Sequence, residues 1–323
     1  MKLLVYGAGV IGSYLAHALC AAGNDVTVLA RGSRKAELEQ NGLVIRHHLQ
    51  KTTTLDRPRI VGGIGTEPYD IVFAVMQYQQ MWDILDDLAV VNSPLVILVG
   101  NNLSASDMEA HIKAHTVVSK TVAFGFQTTG GRRENGGMVC VRQGNGKLHC
   151  GLLHAPFDER TKAALLRAFG DTGYRLAFQP DMEGWYRSHL AFILPVAYLC
   201  YALDCDLTRA KRVQLNLCLD AAREGFALLR ALGTPILPSG EDAYFELGAK
   251  RAYLAALLWV AAKTALGRLI ASDHCRNAVA EMRALDAGFE GLRRESGCPM
   301  PHWDALRARM PSWDEIERQY KKQ

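Results

Sequence analysis

The run Gly7-Ala8-Gly9-Val10-Ile11-Gly12 has the residue types and spacing that cradle a pyrophosphate. It follows the apolar stretch Lys2–Tyr6 and leads into the amphipathic stretch Ile11–Ala22, which predicts a strand, a tight turn and a crossover helix. The first glycine permits the turn, the second lets phosphate oxygens approach the main chain, and the third lets helix and strand pack closely. The helix N-terminus adds amide donors and a partial positive charge. A dinucleotide site is therefore expected at Gly7, Ala8, Gly9, Val10, Ile11 and Gly12.

The end of the second strand, Asp25–Ala30, selects which dinucleotide. NAD-binding units place a carboxylate there to accept from the ribose hydroxyls. Here Ala30 is followed by Arg31, then Arg34 and Lys35. A cluster of cations without a carboxylate favours a 2′-phosphate, so NADP is expected, with Arg31 as its main contact.

Other chemistry is thin. Eight cysteines show no CxxC, and His149-Cys150 and His274-Cys275 lack a second ligand pair at zinc spacing. Free thiols in a reducing compartment and no metal are the expectation. Ser188-His189 has neither a nucleophile elbow nor an oriented carboxylate, which argues against a hydrolase triad.

The elements that must position these residues fall into two unlike halves. From residue 1 to 178, apolar runs at Lys2–Tyr6, Asp25–Ala30, Asp70–Val75, Leu95–Val99 and Val117–Ala123 alternate with helical stretches. That pattern predicts a parallel sheet covered on both faces. Met138–Val141 and Lys147–Cys150 flank a GNG turn, and antiparallel hairpins are expected to close this domain. From 179 to 323 the spacing is helical through Leu190–Ala202, Leu215–Leu232, Tyr244–Leu266 and Ala278–Leu292. Trp185, Tyr186, Tyr198 and Tyr201 read as core or interface aromatics.

A chain of 323 residues suits two domains, and its net charge of +4 makes no nucleic-acid footprint. From Arg283 onward eight basic residues face seven acidic ones. The longest uncharged apolar run, Leu190–Leu203, has 14 residues against the roughly 20 needed to span a bilayer. A cytoplasmic protein with neither membrane nor nucleic-acid partners is expected. The apolar stretches 190–203 and 252–262 are richer than one buried face requires and suggest a homodimer built on the helical domain.

Taken in order, several landmarks resemble the ketopantoate reductase family. They are GAGVIG with Ala30-Arg31, Asp70 through Gln80, Leu98-Val-Gly-Asn-Asn, the helix start at Trp185, and Glu224 followed by Gly233-Thr-Pro-Ile-Leu-Pro. Asp273 with Glu281 eight residues on, and Gly297-Cys-Pro-Met-Pro, complete the set. The resemblance runs the length of the chain. It implies an α/β Rossmann N-terminal domain plus an all-α C-terminal domain, 6-phosphogluconate-dehydrogenase-like, with a substrate cleft between them. It also implies that Gln77 and Asn101 serve the cofactor and that Glu281 supports the reacting carbonyl. The family's catalytic lysine corresponds to Arg187, and asparagines expected at 191, 195 and 303 are Ala191, Pro195 and Trp303. A lysine in the third-strand segment is replaced by Gln77.

These departures have chemical content. Residues 187, 191 and 195 share one helix face. Arginine stays protonated under ordinary conditions, so Arg187 can clamp a carboxylate or stabilise an alkoxide but is a poor general acid. His189, two residues on, titrates near neutrality but points away from Arg187. The expected activity is NADPH-dependent reduction of a 2-keto acid or related carbonyl, with Arg187 and Glu281 as polarising groups. Two alternatives stand beside it: an authentic 2-dehydropantoate 2-reductase of pantothenate synthesis, and an NADP-binding sensor without turnover.

Overall fold

The protein's structure, a computed structural model, describes residues 1–134 and 136–320. It divides into two compact units, Met1–Met182 and Glu183–Gln323, four residues beyond the expected boundary.

Unit 1 holds strands β1 (Lys2–Tyr6), β2 (Asp25–Leu29), β3 (Leu43–His47), β4 (Thr52–Asp56), β5 (Arg59–Val61), β6 (Ile71–Val75), β7 (Leu95–Val99), β8 (Thr121–Gln127), β9 (Thr129–Glu134), β10 (Gly137–Arg142), β11 (Lys147–Gly151) and β12 (Arg175–Phe178). Its helices are α1 (Val10–Ala21), α2 (Gly32–Asn41), α3 (Tyr78–Met81), α4 (Leu85–Val90), α5 (Ala105–His115) and α6 (Glu159–Phe169).

An eight-stranded sheet runs β12-β11-β8-β7-β6-β1-β2-β5. The six strands from β8 to β5 are parallel, while β11 pairs antiparallel with β8. The central strands β6 (IVFAV) and β7 (LVILV) are buried at every residue, as expected of apolar runs covered on both faces. Leu3 pairs with Ile71 and Val72 with Val96, a register that brings the carboxyl ends of β1, β6 and β7 to one edge. In open parallel sheets that edge is where ligands bind.

Two sequence expectations need correction. The fifth strand is Thr121–Gln127, not Val117–Ala123. Val117 and Val118 are exposed in a turn closed by the Thr116 hydroxyl, which donates to the Val118 carbonyl at 2.7 Å. Met138–Val141 and Lys147–Cys150 do not form a hairpin either. β10 joins a second sheet, β4-β3-β10-β9, pairing antiparallel with β9 and parallel with β3, while β11 returns to the large sheet. The GNG turn is thus a crossing point between sheets, and β4 (TTTLD) was too polar to announce itself.

Unit 2 is helical: α7 (Met182–Ala202, beginning at the unit boundary), α8 (Arg212–Ala231), α9 (Ala249–Ala262), α10 (Ala265–Gly267), α11 (Asp273–Asn277), α12 (Val279–Ser296), α13 (Pro301–Arg307) and α14 (Trp313–Tyr320). The expected helix Tyr244–Leu266 starts only at Ala249, after Gly248 at φ +149°. A π-helical turn, Arg268–Ser272, leads into α11.

Buried carboxylates tie the core together. Asp286 of α12 accepts from Tyr198 at 2.5 Å, Arg307 at 2.8 Å and Trp313 at 2.7 Å. Glu224 of α8 accepts the amides of His302 and Trp303, capping the start of α13. Tyr186, Tyr198 and Tyr201 are almost wholly buried, as expected of core aromatics. Among the described residues no single helix is long and apolar enough to cross a membrane.

Candidate functional site

The glycine turn after β1 has the stereochemistry its spacing requires. Gly7 sits at φ +114°, and a Cβ there would collide with the Val75 carbonyl oxygen of β6. A Cβ on Gly12 would collide with the Gly7 carbonyl oxygen. Gly9 is different, because a Cβ there would meet nothing within 4 Å. Two glycines are therefore required by the fold, and the middle one faces open space where a ligand can approach the backbone. Gly9 precedes α1, whose first turn has neither a side-chain cap nor an acidic residue. Its leading amides and positive dipole end remain available to an anion.

Around this turn lies a cavity of about 440 Å³ lined by Tyr6, Gly7–Gly9, Leu29–Arg31, Arg34, Met76, Gln80, Asp83, Ile84 and Arg133. The three cations expected after β2 have separate fates. The Arg31 side chain is 61% exposed, and its guanidinium donates to Tyr6 Oη at 2.5 Å and to Asp87 at 3.3 Å. Arg34 is buried beneath the turn, where it donates to the Ala8 carbonyl and Ser13 Oγ, both at 3.0 Å, and pairs with Glu37. Burial lowers its pKa while Glu37 acts the other way. It shapes the loop from below. Lys35 turns to Glu39 at 2.7 Å, one helical turn along.

Three residues here escaped the sequence reading. Asp83 lines the cavity, and Asp87 holds both Arg31 and Tyr6, accepting from the phenol at 2.7 Å. Burial and Asp87 push the Tyr6 pKa up. Carboxylates are thus present beside Arg31, supplied from the segment after β6 rather than from the end of β2. The third is Arg133 of β9, brought to the cavity by the second sheet. In sequence it shows only as an Arg-Arg pair in a glycine-rich hairpin, and Asp87 lies 56 residues from Arg31 with no local signal.

Gln77 stands at the end of β6, and its Oε1 accepts from Gln79 at 2.8 Å; Met76 and Gln80 line the cavity. Asn101 follows β7 on the same sheet edge. It is 5% exposed, and its Oδ1 is buried without a hydrogen-bond partner, a group that a ligand donor could satisfy.

Residues 3–154 match the family model for ketopantoate reductase PanE/ApbA. The matched segment lies within unit 1, covers a little under half of the chain, and is the domain of a family of reductases. An 88-residue segment is 34% identical to the uncharacterized oxidoreductase YkpB of Bacillus subtilis, spanning 27% of this chain and only 28% of that protein. Over 99% of this chain and all of the other, the fold resembles D-mandelate dehydrogenase solved with NADH and anilino(oxo)acetate, at 15% identity and TM-score 0.74. A similar likeness holds for 2-dehydropantoate 2-reductase from Methylococcus capsulatus, at 18% identity and TM-score 0.69 over 100% and 99% of the two chains.

In unit 2 several of the positions singled out in the sequence are given over to packing. Arg187 pairs with Glu183, one turn earlier, and donates to Thr234 Oγ1 at 3.3 Å. Ala191 is fully buried, and a Cβ on Gly225 of α8 would lie 3.1 Å from its own. Pro195 is also buried. Trp303 is fully buried, stacked on Phe289 with centroids 4.8 Å apart. His189 stacks on Trp185 at 5.0 Å.

Glu281 lies in the first turn of α12 and is 2% exposed, so it is not a solvated surface carboxylate. Its Oε2 is 3.4 Å from Nε2 of His274, whose side chain is partly exposed. His274 is a titratable partner that the sequence reading passed over, since its seven-residue spacing from Glu281 crosses a helix break at Ala278. Among the described residues no group of His, Cys, Asp or Glu could hold a metal. All eight cysteines are free, and burial pushes Cys20, Cys140 and Cys150 up to about 12, leaving them as thiols.

Proposed function

We propose that this protein is an NADPH-dependent reductase of a 2-keto acid or related carbonyl, allied to ketopantoate reductase but altered in substrate. The observation that carries the reading is the Gly9 opening. The turn is closed at Gly7 and Gly12 and open only where a pyrophosphate would approach, above a cavity containing Arg31. Gly7 to Gly12 and the start of α1 would hold the pyrophosphate, Arg31 the 2′-phosphate, and Gln77 and Asn101 the nicotinamide side. When bound, the reduced nicotinamide supplies a hydride to the carbonyl carbon.

The chain must then hold the substrate and satisfy the oxygen. Arg187, oriented by Glu183 and Thr234, suits a substrate carboxylate or a developing alkoxide and is a poor proton source. Glu281, with His274 against it, is the better place for the proton that the oxygen receives. The loss of both amides from the α7 face argues against authentic 2-dehydropantoate reduction. Asp83 and Asp87 beside Arg31 favour a second reading, in which NADH serves as well as NADPH. We also infer a cytoplasmic homodimer formed through α9, whose residues Tyr253, Leu257 and Val260 are 64%, 51% and 57% exposed on one apolar face.

Thermal melting with each cofactor tests the first point: NADPH should raise the Tm well above the shift given by NADH, and equal shifts would overturn the preference. NADPH oxidation across a panel of 2-keto acids should show turnover with a substrate other than ketopantoate. No turnover with any of them would favour the sensor reading. Arg187→Lys, assayed with ketopantoate, tests whether this one position governs substrate use.

A further inference from the structure

The cavity by the glycine turn holds three guanidiniums, and each is spent differently. Arg34 is buried and engaged with the Ala8 carbonyl, Ser13 and Glu37, so its donors serve the loop. Arg31 shares one nitrogen between Tyr6 and Asp87, a neighbour that offsets its charge. Arg133 enters from β9 with its side chain 46% exposed, and its hydrogen bond to Glu37 Oε2 at 3.0 Å takes one of its five N–H donors.

Glu37 bridges two of them. Its Oε1 lies 3.0 Å from Arg34 and its Oε2 3.0 Å from Arg133. This carboxylate, 19% exposed on α2, tethers a hairpin guanidinium from the second sheet at the rim of the cofactor cavity. Counted together, Arg31, Arg34 and Arg133 face Asp83, Asp87 and Glu37, so the cavity carries no surplus charge from these groups. A phosphate monoester brings about −1.5 to −2 charges near neutrality. Arg31, already paired, is a weak sole counterpart for it.

We propose that Arg133 is a second recognition residue for the 2′-phosphate, and that selection of NADP requires the hairpin of the second sheet as well as Arg31. The proposal rests on the NADPH reading above and assigns its specificity to a residue outside the usual strand-end position. Glu37 acts as a positioning residue, holding one nitrogen of Arg133 while leaving other donors for phosphate oxygens. Bidentate contact would account for arginine rather than lysine at this place.

The test is calorimetric titration of the full chain with 2′,5′-ADP and with 5′-AMP, which differ only in the 2′-phosphate. In the wild type 2′,5′-ADP should bind more tightly. Arg133→Ala should weaken 2′,5′-ADP by about 10- to 100-fold and leave 5′-AMP within about two-fold. Arg133→Lys should recover part of the loss, since it restores charge without the fork. If the wild type binds both ligands equally, the NADPH reading fails and the inference with it. If the wild type prefers 2′,5′-ADP, Arg31→Ala loses that preference and Arg133→Ala keeps it, the inference alone is wrong. Equal weakening of both ligands by Arg133→Ala would place the residue at the 5′-phosphate and also overturn it. Because Arg133 is half-exposed, unchanged melting of the variants shows that binding, not folding, is being read.

Discussion

The turn after β1 and the α7 face of unit 2 are built in opposite ways. In unit 1 the glycine turn keeps every feature of its sequence pattern, and backbone geometry demands it at Gly7 and Gly12. Gly7 and Gly12 are held by collisions that a side chain would create with main-chain oxygens of β6 and of the turn itself. In unit 2 the positions singled out in the sequence present side chains, and several of these are taken up by packing. Ala191 and Trp303 stand in the core against Gly225 and Phe289, where amides would be expected. A site made of backbone tolerates change around it, whereas a site made of side chains can be rebuilt by a few substitutions. Glu281 is the exception, since it remains a buried carboxylate with a histidine against it.

The sharpest way to break this contrast lies within the turn itself. Gly7→Ala combines a positive φ with a backbone collision and should cost about 3 kcal/mol or more, lowering unit 1 stability in urea. Gly9→Ala, with open space and φ near −68°, should melt within about 0.5 kcal/mol of the wild type. It should nevertheless lose cofactor binding by about 100-fold or more, because its methyl occupies the approach to the amides. Comparable destabilisation by both variants would contradict the division between glycines of fold and glycine of function.

The next contrast is in acid. Burial, then Arg142 and His17, lowers His47 to about 4, and burial with Lys147 does the same to His149. Both stay neutral in the fold, where His47 Nδ1 accepts from Arg142 at 3.3 Å and His149 Nδ1 from Gln179 at 3.1 Å. The unfolded chain takes up protons below about pH 6.5 that the folded chain refuses until about 4. This contribution is therefore complete above pH 6.5 and lost as pH falls toward 4, by a few kcal/mol in all. Hydrogen exchange should show β3 and β11 weakening between pH 7 and 5 more than α8 or α12. Uniform weakening of both units would argue against these histidines as the cause.

The smallest expected effect on stability is at α9. Leu257→Glu should change folding free energy by no more than about 0.5 kcal/mol, since the residue is half-exposed. It should convert a dimer to a monomer in sedimentation equilibrium. A wild-type chain that already sediments as a monomer would remove the dimer proposal.

Much of unit 1 was legible because apolar runs bounded by turns have few alternatives. Lys2–Tyr6, the strand after Asp70 and Leu95–Val99 fall where they were expected. The second sheet was not legible, since β4 and β9 are polar and poorly buried, and pairing β10 with β3 joins residues some ninety apart. Val117-Val118 misled because two β-branched residues look the same in a turn as in a strand. In unit 2 the helical spacing was plain, but which face would be core was not. Position 191 could be assigned to packing only once α8 lay against it.

By itself the sequence determined the glycine turn, the alternation that makes a parallel sheet, and the residue types at 187, 191, 195 and 303. These are local facts, written in conformational freedom and in residue identity. Tertiary structure decided which charges meet. It set Asp87 against Arg31, carried Arg133 to the cavity through a second sheet, buried Arg34 under the turn, and paired His274 with Glu281. Electrostatic interactions depend on distance in space, and chain order does not set that distance until the sheets and helices have closed.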